Sequence, residues 1–154
     1  MGYRGRIRVR RLIRLSLPLL LLAGCSVAEQ PASLYFEAAG RLENPEIVEA
    51  SGLARSQRAP GVLWTMNDEG KPKLHALDLE GKRLGEVNLN KSKNRDWEDL
   101  ASFMLDGEPY VLVADVGDNE ARRGKLTLYV AKEPRVDENK TKVDWEIDFE
   151  YPNG

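Results

Sequence analysis

Cysteine and histidine occur once each, as Cys25 and His75, and each scarcity removes a class of chemistry. A single thiol cannot close a disulfide within the chain. One thiol and one imidazole leave too few sulfur and nitrogen ligands for a zinc site. No serine or cysteine stands in a nucleophile-elbow pattern, and no glycine-rich phosphate loop occurs. Helical periodicity is nearly absent beyond Glu49. The one apolar run of any length, residues 15–23, is broken by Ser16 and Pro18. It falls well short of the ~20 residues a helix needs to cross a bilayer.

What precedes and follows that run makes it an address. Residues 1–14 carry six arginines and no acid, so a charged leader is followed by a short apolar stretch, the order of an export signal. The signal ends in Leu22-Ala23-Gly24-Cys25. This resembles the bacterial lipoprotein signal, which implies cleavage after Gly24 and lipidation of Cys25. The alternative for Cys25 is a small buried core residue. Several acyl chains, each methylene worth ~0.8 kcal/mol on burial, give stable attachment. Ser26 occupies the position where inner-membrane retention typically has Asp, so the resemblance implies the outer membrane. Arg10-Arg11 leaves twin-arginine export open. Residues 25–45 are expected to form the lipidated N-terminus and a tether.

Charge follows from the same cut. Removing the six signal arginines from 23 basic residues leaves 17 against 25 acidic ones, a net of −8. An acidic chain without a basic stripe gives a nucleic-acid partner no electrostatic footing.

From Glu49 on, short apolar segments at 50–56, 62–67, 74–79, 83–89, 97–105, 110–116, 126–131 and 143–151 alternate with turn residues such as Asp68-Glu69-Gly70, Asp106-Gly107 and Gly117-Asp118-Asn119. This spacing predicts an all-β fold: sandwich, barrel or propeller. Ser51-Gly52-Leu53-Ala54, Gly61-Val62-Leu63-Trp64 and Lys73-Leu74-His75-Ala76-Leu77 are echoed by Glu98-Asp99-Leu100-Ala101, Pro109-Tyr110-Val111-Leu112 and Lys125-Leu126-Thr127-Leu128-Tyr129, at offsets growing from 47 to 52. A four-strand unit of that length matches a propeller blade. Two blade-like repeats, 47–89 and 97–151, are therefore expected within a partial propeller domain, 46–154. The apolar run 110–114 predicts an inner strand. Val143, Trp145, Ile147, Phe149 and Tyr151 alternate with acids and predict an outermost strand with one buried face. A sandwich is the structural alternative. Two blades are fewer than a propeller needs. The chain is thus expected to be the front of a longer protein, the reading favoured by its last residues, Tyr151-Pro152-Asn153-Gly154, or to assemble with other chains.

The stretch SGLARSQRAPGVLWTMNDEGKPKLHALDLEGKRLGEVNL, then NRDWEDLA, then YVLVADVGDNEARRGKLTLYVAKEP, covering about residues 46–134, resembles uncharacterised bacterial secreted proteins and lipoproteins related in pattern to SdiA-regulated proteins, NHL-type propellers and the esterase-like phytase domain. The resemblance implies a six-bladed propeller of which this chain supplies the first blades. A further likeness, to calcium-dependent lactonases such as gluconolactonases and paraoxonases, falls on Glu98 at the start of an innermost strand and implies a metal ligand there.

The dense acids beside the apolar run 110–114 are the candidate site. Acids in that setting must be paired, hydrogen-bonded or metal-bound. Asn67, Asp68, Glu98, Asp99, Asp115, Asp118 and Asn119 could offer a calcium ion its six to eight oxygens. For Asp68, Asp118 and Asn119 the competing role is to accept backbone hydrogen bonds in turns. Glu98, at a strand start beside Trp97, is expected to be partly desolvated, with a raised pKa suited to acid–base work. Its competing role is a salt bridge to Arg95 or Arg122. Trp64 and Trp97 either stack on a ligand or fill the core, and Arg122 either contacts an anion or is solvated. His75 reads as a satisfied strand residue.

Two functions from different classes follow. The first is a lipid-anchored binding or scaffold propeller at the cell envelope, with a protein or small-molecule ligand and channel acids that hold calcium or order loops. The second is a calcium-dependent hydrolase of lactones or phosphoesters with Glu98 near the metal. The first is favoured because no complete catalytic set is visible, and fold alone does not choose.

Overall fold

A computed structural model describes residues 38–151. The leader 1–24, Cys25 and the tether as far as residue 37 lie outside the described residues, as do residues 152–154.

The described residues are all-β and build two sheets. The first half supplies β1 (Ala50–Arg55), β2 (Leu63–Asn67), β3 (Lys73–Leu77) and β4 (Arg83–Asn90). The second supplies β5 (Trp97–Leu105), β6 (Glu108–Asp115), β7 (Leu126–Lys132), β8 (Lys140–Lys142) and β9 (Trp145–Phe149). Sheet order is β1-β2-β3-β4-β8 in one and β5-β6-β7-β9 in the other. Each sheet is an antiparallel meander, with β8 added parallel to β4. The eight segments expected from turn spacing are all strands. The ninth, β8, is a departure, because a segment from the second repeat completes the edge of the first sheet.

Register shows how far the repeat extends. Ala54 faces Trp64 as Ala101 faces Leu112, in agreement with the sequence offsets. Trp64 then faces Ala76, whereas Leu112 faces Val130. The third strands are therefore equivalent at an offset of 54, from 76 to 130, rather than 52. A slip of two residues keeps every side chain on its face, so sequence pattern cannot distinguish the two registers.

Alternation along the strands sends Trp64, Met66, Leu74, Ala76, Val87 and Leu89 to one face of the first sheet. They form one buried core with Leu100, Val111, Val113, Tyr129 and Ala131 of the second. Full burial of each large side chain is worth ~1.5–3 kcal/mol. The first strands of the two meanders lie side by side. The Ser51 hydroxyl donates to the Trp97 carbonyl, and Gly52, at φ +62°, sits so close that a Cβ would come within 2.7 Å of the Leu100 nitrogen. Glycine is required there on both counts.

The opposite face of the second sheet carries Leu112, Leu128, Trp145, Ile147 and Phe149. Trp145 and Ile147 are 38% and 45% exposed, so the alternating strand β9 has its apolar face uncovered by the described residues. The buried face expected for 143–151 is thus seen only at its start, at Val143.

Residues 41–45, expected to belong to a tether, are held against the first sheet. From Arg41 on the chain is fastened along the first sheet. The Arg41 amide donates to the Glu80 carbonyl at 3.1 Å. The buried Asn44 side chain reaches His75 at 3.3 Å and Glu86 at 3.1 Å. Nothing local in Arg41-Leu42-Glu43-Asn44-Pro45 marks this segment as held, since the partners of Asn44 lie more than 30 residues away.

Candidate functional site

Strands β2, β5 and β6 bring the candidate acids to one end of the two sheets. The Trp97 amide donates to the Asp68 carbonyl at 2.6 Å, and the Asp96 amide to the Asp115 carboxylate at 3.1 Å. Chain reversals at Asp68 and Gly117 thus meet the start of β5.

The seven candidate oxygen donors separate there into different roles. Asn67 holds the segment before β1: its Oδ1 accepts the Val48 and Glu49 amides at 3.0 and 3.3 Å, and its Nδ2 donates to the Glu46 carbonyl at 2.7 Å. Asp68 accepts its neighbour Glu69 in a turn. Asp99 accepts the following Leu100 amide at 2.8 Å beside the bulge in β5. Asp118 accepts the Arg122 and Arg123 amides at 2.8 and 2.9 Å, which hold its carboxyl below the ordinary aspartate value. Asn119 is exposed in the same loop.

Asp115 is 1% exposed and its partner is an arginine. The Arg123 guanidinium donates to Asp115 Oδ1 at 2.9 Å and to the Asp115 and Gly117 carbonyls at 3.0 and 2.7 Å. One side chain thereby neutralises a buried acid and pins the loop that follows β6. The neighbouring Arg122 is exposed and pairs with Glu120 at 2.8 Å. Sequence pattern did not separate the two arginines.

Glu98 is exposed, and no cation pairs with it among the described residues. Partial desolvation, then the neighbouring Asp96 carboxylate, then Asp68, raise its pKa. Glu49 is raised as well, chiefly by Asp68. Glu49, Asp68, Asp96 and Glu98 therefore form one mutually repelling group, of which Asp96 and Glu49 were not singled out in the sequence. The signal for Asp96 was its position two residues before Glu98, on the same side of an extended chain. Among the described residues no group of three or more acids, histidines or cysteines is arranged to hold a metal. Asn67, Asp115 and Asp118 each have hydrogen-bond partners within the protein.

Trp64 and Trp97 are buried, with indole nitrogens bonded inside the protein: Trp64 Nε1 to Glu133 at 2.9 Å and Trp97 Nε1 to the Lys93 carbonyl at 2.9 Å. Both rings belong to the core. His75 is buried beside Asn44 and Glu86. Burial lowers its pKa, outweighing the opposing pull of Glu86, which lies 3.6 Å from Nδ1.

The other ionisable centre was missed in the sequence. Glu133, directly after β7, is 1% exposed; the Arg58 guanidinium donates to its backbone carbonyl at 2.8 Å, but its carboxylate has no cationic partner among the described residues. It accepts from the Ser56 hydroxyl, the Gln57 amide at 3.0 Å, Trp64 Nε1 at 2.9 Å and the Ser102 hydroxyl at 2.9 Å. Burial pushes its carboxyl up, and the four donors together outweigh burial and leave it below the ordinary glutamate value. The arrangement joins both sheets through one carboxylate and leaves no free position for chemistry.

Comparison with protein-family models and with curated proteins finds no match to this chain.

Proposed function

We propose that this chain is a cell-envelope lipoprotein, anchored through Cys25 at the outer membrane, whose two sheets are neighbouring blades of a β-propeller with a binding or scaffold role. The observation that carries the reading is the side-by-side placement of β1 and β5, each the first strand of a four-strand meander. Adjacent first strands with meanders stacked face to face are what neighbouring blades require. In that frame the uncovered face of β6, β7 and β9 is where a further blade would lie. The side chains engaged at the acidic end order loops rather than form a catalytic set, which favours binding over catalysis.

The anchor is tested by labelling cells with radioactive palmitate. Label should enter the full chain and be absent from Cys25→Ala, with the variant released from the membrane fraction. Equal labelling of both would refute the anchor.

A second reading is favoured by one observation, the placement of Glu98 near the Asp96 and Asp68 carboxylates, where partial burial and then their like charge raise its pKa. Carboxylates that repel one another are relieved by a divalent cation, as a calcium-dependent hydrolase of lactones or phosphoesters would need. The described residues fall short of the ligands calcium takes, so no catalytic step is assigned. Calorimetric titration of calcium into the full chain and its Glu98→Gln variant decides it: saturable binding lost in the variant supports the second reading, and no binding removes it.

A further inference from the structure

The segment that joins the sheets, Lys91-Ser92-Lys93-Asn94-Arg95, carries three cations in an otherwise acidic chain. It is ordered rather than free. Ser92 Oγ donates to the Leu89 carbonyl at 2.6 Å, Asn94 Nδ2 to the Asn67 carbonyl at 3.0 Å, and the Lys93 carbonyl accepts Trp97 Nε1. Lys91 turns the chain at φ 66°. This fixed backbone places Lys91, Lys93 and Arg95 around a cavity of about 150 Å³, whose far wall is the inward face of the second sheet at Thr127, Tyr129 and Glu146.

The remaining charges at the cavity cancel in pairs. Asp115 is held by Arg123, and Lys125 by Asp148, which also accepts Thr127 Oγ1. Lys91, Lys93 and Arg95 have no ion-pair partner among the described residues, and one carboxylate, Glu146, opposes them. Three cations against one acid leave an uncompensated positive cavity. Tyr129 is 6% exposed, and its phenol, protonated at neutral pH as tyrosines ordinarily are, can donate. A volume of about 150 Å³ is room enough for a tetrahedral oxyanion together with bridging waters.

We infer that this cavity between the inter-sheet segment and β7 binds a small tetrahedral oxyanion, a phosphate or sulfate group, held by Lys91, Lys93 and Arg95. Multiple cationic donors suit such a group because charge-assisted hydrogen bonds are roughly twice as strong as neutral ones. None of the acids Glu49, Asp68, Asp96 and Glu98 lines the cavity, and the inference does not depend on the reading of the chain as a propeller or a hydrolase.

The test is titration of the purified full chain with potassium phosphate and potassium sulfate at constant ionic strength, read by calorimetry, with chloride as the reference ion. The expected result is saturable one-to-one binding of phosphate or sulfate, weakened at least tenfold in Lys91→Gln/Arg95→Gln and unchanged in Lys82→Gln, a lysine in the turn at the opposite end of β4. All three replaced side chains are exposed, and far-ultraviolet circular dichroism checks that each variant is folded. Glycerol 3-phosphate in solution and phosphatidate in vesicles then separate the sources: affinity for the first assigns a soluble phosphomonoester, and binding to vesicles alone assigns a lipid headgroup. Binding no stronger than that of chloride, or equal binding in the double variant, would overturn the proposal.

Discussion

Replacing Glu133 with glutamine changes one atom and should still cost stability. Glu133 Oε1 accepts Trp64 Nε1 and the Ser56 hydroxyl, while Oε2 accepts the Gln57 amide and the Ser102 hydroxyl. Each oxygen therefore faces one N–H that cannot reverse its polarity. Whichever way the glutamine amide is turned, its NH₂ meets either the indole or the backbone N–H, donor to donor. One buried donor is left unsatisfied at ~1–3 kcal/mol. Glu133→Ala removes all four acceptor contacts. Summing charge-assisted hydrogen bonds would overstate the loss, because the buried charge disappears as well. The N–H donors left without an acceptor, Trp64 Nε1 and the Gln57 amide, cost ~1–3 kcal/mol each, a large share of the ~5–15 kcal/mol that holds a domain together. Urea unfolding at pH 7, followed by tryptophan fluorescence, reads both variants as shifts of midpoint at constant slope. The sign of the pH dependence is fixed too. A carboxyl held below its ordinary, unfolded-chain value contributes stability above that value and loses it as pH falls through the folded value. A Gln variant within about 0.5 kcal/mol of the parent, well under the ~1–3 kcal/mol cost of an unsatisfied donor, would refute the donor count. So would an Ala variant whose acid unfolding matched that of the parent.

The remaining expectations use the same measurements or simpler ones. His75 is the one histidine of the chain, so its ring proton is an unambiguous nuclear magnetic resonance reporter; burial should put its midpoint below 6.5, with its contribution to stability lost as pH falls, and a midpoint above 6.5 contradicts its placement. Gly85→Ala sets a Cβ 2.0 Å from the Val136 carbonyl and should lower stability by ~1–3 kcal/mol by lifting the segment before β8; an unchanged urea midpoint would show that the segment does not lie there. Arg123→Met strands the buried Asp115 and should cost ~3 kcal/mol, against under ~0.5 kcal/mol for Arg122→Met, whose side chain and partner are exposed. Equal losses for the two arginines would remove the case for the buried pair.

How much of this was written in the sequence depended on the range of the interactions involved. The strands were readable because Asp106-Gly107 and Glu80-Gly81 mark reversals locally, with positive φ at Asp106, Gly107 and Gly81. Trp64 and Trp97 were open between core and ligand, and only their burial against the opposite sheet decides. Strand β8 was hidden because Lys140-Thr141-Lys142 is short and polar and pairs with residues about 52 positions earlier. Glu133 was hidden for the same reason, since its donors lie 31 to 77 residues away. The acids of the candidate site were found as a set, but a one-dimensional pattern cannot say which acid a given amide or guanidinium takes. Asn67 and Asp118 look alike in the sequence; one fastens a distant segment and the other closes its own turn.

The short strand β8 sets an order of events during synthesis. The first sheet has its four meander strands once residue 90 has been made, yet its outer edge at β4 stays unpaired until residues 140–142 exist. For that interval the growing chain presents an open sheet edge, the form most prone to pair with another chain. When the segment arrives it brings Lys140 and Lys142, charges that discourage any further strand from adding. The same lace ties the two sheets at both margins, through Ser51 and Trp97 on one side and Asn90 and Val143 on the other. Neither sheet can therefore open fully without loosening the other, and hydrogen exchange should find them protected as one unit.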